Sequence, residues 1–112
     1  MKYDISFVGL GKLGLPLATN FAKRGKKVVG IDLNSNLLST LNNGNAPWIE
    51  EGLQENITKS SDNIVYTDSY TKVSDSEYSI ILVNTPSKDK NGSFSNEYII
   101  SSLTSICQEL VK

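Results

Sequence analysis

With 112 residues, the chain has room for one domain with a modest core and none for a second. Its 11 Lys and Arg against 12 Asp and Glu leave a formal net charge of -1 with no long basic run, which excludes binding to nucleic acid or an anionic membrane by overall charge. One cysteine and no histidine exclude an internal disulfide framework, a Cys/His metal cluster and a Ser-His pair, so no metal site is expected. No apolar run approaches the roughly 20 residues that span a bilayer, and the N-terminus lacks the basic-then-apolar plan of a signal peptide, so a cytoplasmic protein is the default expectation.

The first predicted element is a buried strand, Asp4-Ile5-Ser6-Phe7-Val8, which runs straight into Gly9-Leu10-Gly11-Lys12-Leu13-Gly14. A GxGxxG turn between strand and helix is the fingerprint of a dinucleotide site. Its first glycine makes the bend, the second admits a pyrophosphate against bare backbone, and the third lets the helix pack close to the strand. The phosphates then lie on the free amides of the helix start. Three glycines at this spacing also arise by chance, so the motif needs support from the rest of the unit. A helix is predicted over residues 12–24, with Leu15, Ala18, Phe21 and Ala22 inward and Pro16 in the opening turn, where a missing amide proton costs little. Lys23, Arg24, Lys26 and Lys27 crowd its end, where they complement the helix dipole at the edge opposite a ligand crevice and read as a solvated face.

Residues 27–32 form the second strand, which closes on Asp32. A carboxylate at that tip accepts bonds from adenosine ribose hydroxyls and repels the extra phosphate of NADP, and no arginine follows to receive one, so NAD is the expected cofactor. The competing role for Asp32 is a mere N-cap of the next helix. That helix is predicted over residues 35–42, with Leu37, Leu38 and Leu41 inward and Asn43-Gly44-Asn45 ending it. A loop with Pro47, Trp48, Glu50 and Glu51 leads to a short helix through Leu53 and Ile57; the two acids read as its dipole-complementing first turn rather than as a catalytic pair. A third strand over residues 63–68 ends in Asp68, placed to cap the next short helix, and a fourth, the most hydrophobic, covers residues 78–84.

Strand and helix signals alternate throughout, which predicts an α/β fold of the Rossmann type. Its doubly wound parallel sheet is truncated to about four strands in the order 3-2-1-4. In that order strand four lies beside strand one and the crevice opens at their C-terminal ends, so Thr85 faces it, either bonding a cofactor oxygen or satisfying local backbone. A turn is expected over residues 88–93. A last helix from residue 95 or 96 then carries Ile99, Leu103, Ile106, Cys107 and Leu110 on one stripe, with Cys107 buried and inert.

Five segments together resemble the N-terminal NAD-binding domain of the nucleotide sugar dehydrogenases, the family of UDP-glucose and UDP-N-acetylmannosamine dehydrogenases. They are GLGKLGLPLA at 9–18, VVGID at 28–32, the spaced Leu41, Gly44, Pro47, Glu50-Glu51-Gly52-Leu53 series, Thr67-Asp68, and VNTPS at 83–87. The resemblance covers essentially the whole chain and implies that Gly9, Leu10, Gly11, Lys12, Leu13, Gly14, Asp32 and Thr85 contact NAD. It implies further that residues 1–112 are the cofactor domain of a longer, homo-oligomeric dehydrogenase. The parent would oxidise the C6 alcohol of a UDP-sugar to the uronate for polysaccharide precursor synthesis, with a catalytic cysteine, a lysine and sugar-binding residues beyond the equivalent of Lys112. Many relatives of this kind carry a basic residue near position 37 that approaches the adenosine ribose, where this chain has Leu37, and Asn84 replaces a usual proline or alanine. Two other classes share the opening motif: β-hydroxyacid dehydrogenases of the 6-phosphogluconate type, against which Leu13 and the 47–53 loop argue, and non-enzymatic NAD-sensing modules.

Overall fold

Parallel strands need helical crossovers, and the chain supplies one after each of its first two strands. The computed structural model describes residues 2–82. Within them run β1 (Tyr3–Val8), α1 (Gly14–Lys23), β2 (Val28–Ile31), α2 (Ser35–Asn42), α3 (Leu53–Ser60), β3 (Ile64–Thr67), a 3-10 helix (Thr71–Asp75) and β4 (Ser76–Ile81). All pairings are parallel and the sheet order is β3-β2-β1-β4, as the sequence predicts. Thr85, the 88–93 turn and the final helix with Cys107 lie outside the described residues.

Strands β1 and β2 are buried along nearly their whole length because each face of the sheet is covered there. On one face Ile5, Phe7 and Val28 meet Leu15, Ala18 and Ala22 of α1, Leu38 and Leu41 of α2, and Leu53 and Ile57 of α3. Phe7 also stands against Phe21 with ring centroids 5.5 Å apart and planes tilted by 55°. The opposite face gathers Tyr3, Val8, Val29 and Ile31 under Val73 of the 3-10 helix. Each large side chain fully withdrawn from water contributes about 1.5 to 3 kcal/mol, so these two layers supply most of the driving force.

Helix α1 begins at Gly14, two residues later than predicted, because Lys12 and Leu13 form the turn whose flanking Gly11 carbonyl accepts from Leu15 N at 3.0 Å. It ends in a Schellman arrangement: Gly25, at φ 96°, donates to Ala22 O at 3.0 Å, and Lys26 donates to Phe21 O at 3.2 Å. The basic cluster is exposed at the far end of α1 from the strand crest; there Lys23 Nζ donates to Asn56 Oδ1 at 2.9 Å and Lys27 Nζ to Asn63 Oδ1 at 3.3 Å. It is the solvated face that the helix direction predicts.

Two local expectations are corrected. Asp68 does not cap the following helix: Thr67 Oγ1 accepts from Ser69 N at 3.1 Å and Ser69 Oγ from Thr71 N at 3.2 Å, because hydroxyls two residues ahead of an amide reach it in a tight turn. β4 starts at Ser76 rather than residue 78, since its pairing with β1 begins at Tyr3↔Ser76, before the apolar run. The hydroxyls of Ser6 on β1 and Ser76 on β4 are hydrogen bonded to each other.

The origin of α1 sits so close to the end of β1 that a Cβ on Gly14 would lie 1.9 Å from Gly9 O. Gly14→Ala is expected to destabilise the fold by about 1 to 3 kcal/mol, read as a lowered urea midpoint with an unchanged slope.

Tyr66 packs against the core on the α3 side, and among the described residues its buried hydroxyl meets no partner at full hydrogen-bond geometry; the Ser60 hydroxyl near it only partly offsets the burial and donates to Ile57 O at 3.2 Å. Burial pushes the Tyr66 phenol up to about 12. The folded chain therefore holds a proton that the unfolded chain releases near pH 10. Stability should fall between about pH 10 and 12 by up to about 1.4 kcal/mol per pH unit, and Tyr66→Phe should flatten that loss in alkaline chemical denaturation.

Candidate dinucleotide site

The C-terminal end of β1 turns at Gly9, whose φ of 105° is open to glycine and strained for other residues. Its amide donates to Ile31 O at 2.8 Å, which ties the turn to the end of β2. The next amide, Leu10 N, donates to Asp32 Oδ2 at 2.9 Å, while Asp32 Oδ1 accepts from Asn34 N at 2.9 Å. The Asp32 carboxylate thus joins the glycine-rich loop to the loop after β2. Each oxygen keeps further acceptor capacity on its solvent side. The N-cap of α2 is Asn34, whose Oδ1 accepts from Leu37 N at 3.1 Å, so Asp32 is not the cap.

Leu10 is wholly buried and lies over Gly30, where a Cβ would come within 3.0 Å of Leu10 Cδ2 and 3.2 Å of Tyr66 Cδ1. Sequence reasoning gave Gly30 no role, although a glycine inside a strand is a signal of close approach. Leu37, in the first turn of α2, packs against the core.

Past Leu10 the backbone opens. The amides of Gly11, Lys12, Leu13 and Gly14 donate to no acceptor among the described residues, and α1 has neither a side-chain cap nor an acid in its first turn. Four free N–H groups at the positive end of a helix make an anion cradle. A Cβ on Gly11 would meet nothing within 4 Å, and its φ is not positive. Each of the other described glycines has either a positive φ or a crowded Cβ position; Gly11 alone among them has no folding reason to be glycine. The space in front of it fits a pyrophosphate against bare backbone. Exposed Leu13 and Leu33 flank the cradle and the Asp32 carboxylate.

The loop before α3 rises beside this cradle. Gln54 pins it by accepting from Ala46 N at 2.8 Å and donating to Gly44 O at 2.8 Å. Glu50 and Glu51 do not form the first turn of α3, which starts at Leu53 after a left-handed Gly52 and carries Glu55 as its acid. Glu50 Oε1 instead accepts from Trp48 Nε1 at 2.9 Å, and Lys12 Nζ lies 5.6 Å from the centroid of the same indole. Among the described residues no group of three or more His, Cys, Asp or Glu is placed to hold a metal, and no helix is long and apolar enough to cross a membrane.

An open amide cradle at a helix start, with a carboxylate at the tip of the neighbouring strand, defines a Rossmann-type dinucleotide-binding domain. Residues 3–112 match the NAD binding domain of the UDP-glucose/GDP-mannose dehydrogenase family, and the chain belongs to that family. A GDP-mannose 6-dehydrogenase of Pseudomonas syringae pv. syringae is 37% identical over 109 residues, covering 95% of this chain and 24% of that protein. A UDP-N-acetyl-D-mannosamine dehydrogenase of Campylobacter jejuni is 33% identical over 112 residues, covering 96% and 26%. The crystal structure of a GDP-mannose dehydrogenase ternary complex from Pseudomonas aeruginosa superposes with a TM-score of 0.88 at 33% identity, over 95% of this chain and 25% of that one. The chain spans about a quarter of the length of these relatives.

If Asp32 holds the glycine-rich loop to β2, its removal should free the amides it binds. In Asp32→Ala, hydrogen exchange at Leu10 and Asn34 should accelerate by about tenfold or more while protection in β1 is retained, since bonds to a charged acceptor contribute roughly 1.5 to 3 kcal/mol.

Proposed function

We propose that this chain is the cofactor platform of a longer nucleotide sugar 6-dehydrogenase that oxidises the C6 alcohol of a UDP-sugar to the uronate. The observation that carries the reading is the juxtaposition of the open cradle at Gly11 with the Asp32 carboxylate across the Leu10 N–Asp32 hydrogen bond. In this reading the Gly9, Gly11, Lys12, Leu13 and Gly14 backbone borders the diphosphate of NAD. Leu10 fixes the loop through its buried side chain and its bonded amide. Asp32 accepts from the adenosine ribose, and Thr85 is the contact supplied from beyond β4. When bound, NAD supplies the hydride acceptor. The chain's own residues bind and orient it, and that positioning is the domain's share of the catalysis. Relatives named for GDP-mannose make a GDP-linked sugar the second reading, at 37% identity against 33% for the UDP-N-acetyl-D-mannosamine enzyme.

Calorimetric titration of the chain with NAD and NADP tests the platform. NAD should bind more tightly, because the Asp32 charge opposes a 2′-phosphate, and tighter NADP binding would refute the assignment. Gly11→Val should abolish NAD binding and leave the melting temperature nearly unchanged, since the added side chain enters space that the fold does not use.

A further inference from the structure

Lys12 is an exposed cation in the middle of the amide cradle, and a lysine there would ordinarily move freely in solvent. Here its ammonium stands over the face of Trp48, 5.6 Å from the ring centroid. The indole is itself held. It packs in part against the core, and its Nε1 donates to Glu50 Oε1 at 2.9 Å, a bond that draws electron density toward the ring and favours a cation above it. A ring face attracts an ammonium without consuming its three N–H donors, so the charge keeps full capacity for oxygen acceptors.

We propose that Trp48 is a positioning residue that acts through Lys12, holding the ammonium at the rim of the cradle so that it meets the cofactor's diphosphate. The proposal rests on the dinucleotide reading above and extends it to residues outside the glycine-rich loop and Asp32. Glu50 belongs to the same device, as the acceptor that fixes the indole. The Lys12 contribution is electrostatic and specific to phosphate; a ligand that lacks phosphate does not feel it.

The test is a double-mutant cycle on the 112-residue chain, with Lys12→Met, Trp48→Leu, their combination and Trp48→Phe, each first shown to melt like the unmodified chain. NAD affinity is measured by calorimetry at low and high salt, and adenosine affinity by NMR titration. Lys12→Met should weaken NAD by about fivefold, and Trp48→Leu by about two- to fivefold, both effects shrinking at high salt. Adenosine affinity should not change. Trp48→Leu should have no further effect once Lys12 is methionine, and Trp48→Phe, which keeps a ring face, should recover part of the loss. An unchanged NAD affinity in Trp48→Leu, an equal loss for adenosine, or a loss that persists without Lys12 would each overturn the proposal. Absence of NAD binding by the unmodified chain would instead overturn the dinucleotide reading itself, and this proposal with it.

Discussion

The architecture of this domain depends on the absence of one carbon atom. With no Cβ at Gly14, the first turn of α1 rests directly on the Gly9 carbonyl, at a distance no side chain permits. That contact sets where the helix starts, and the start sets both of its consequences. Leu15, Ala18 and Ala22 fall onto the sheet and close the core, and the amides ahead of them are left without acceptors among the described residues. Folding and ligand geometry therefore share a single steric cause.

The second constraint is a charge bridging two loops. Asp32 accepts Leu10 N and Asn34 N, one on each oxygen, so the carboxylate is held in place by backbone donors. A preorganised acceptor loses little side-chain entropy when a further donor arrives. The same bonds keep Leu10 seated over Gly30, which couples the shape of the loop to the packing of β2. Asp32 is at once a structural clamp and an acceptor with capacity to spare.

Much of this was legible in the sequence because it is local or periodic. The alternation of apolar runs with amphipathic spacing points to a doubly wound sheet, whose first half has the order 3-2-1-4, without any knowledge of contacts. What escaped depends on residues distant in the chain. The start of β4 at Ser76 is set by pairing with β1 and by no signal of its own. The turn after β3 is capped by Thr67 and Ser69 rather than Asp68, a choice of local geometry that three polar residues in a row leave open. Glu50 looked like part of a helix start and is instead the partner of an indole, which only the folded loop reveals.

What this domain shares with its relatives narrows what it encodes. Relatives named for GDP-mannose and for UDP-N-acetyl-D-mannosamine match the same span at similar identity, although base and sugar differ between them. A segment that is equally recognisable across different substrates is built around what they have in common. Here that is an open amide turn, a carboxylate bonded to it and the core that fixes both, while the described residues hold no histidine or cysteine to carry proton transfer or covalent chemistry. Around that turn Leu37 packs against the core, and Lys12 carries a cation that stands over the Trp48 indole.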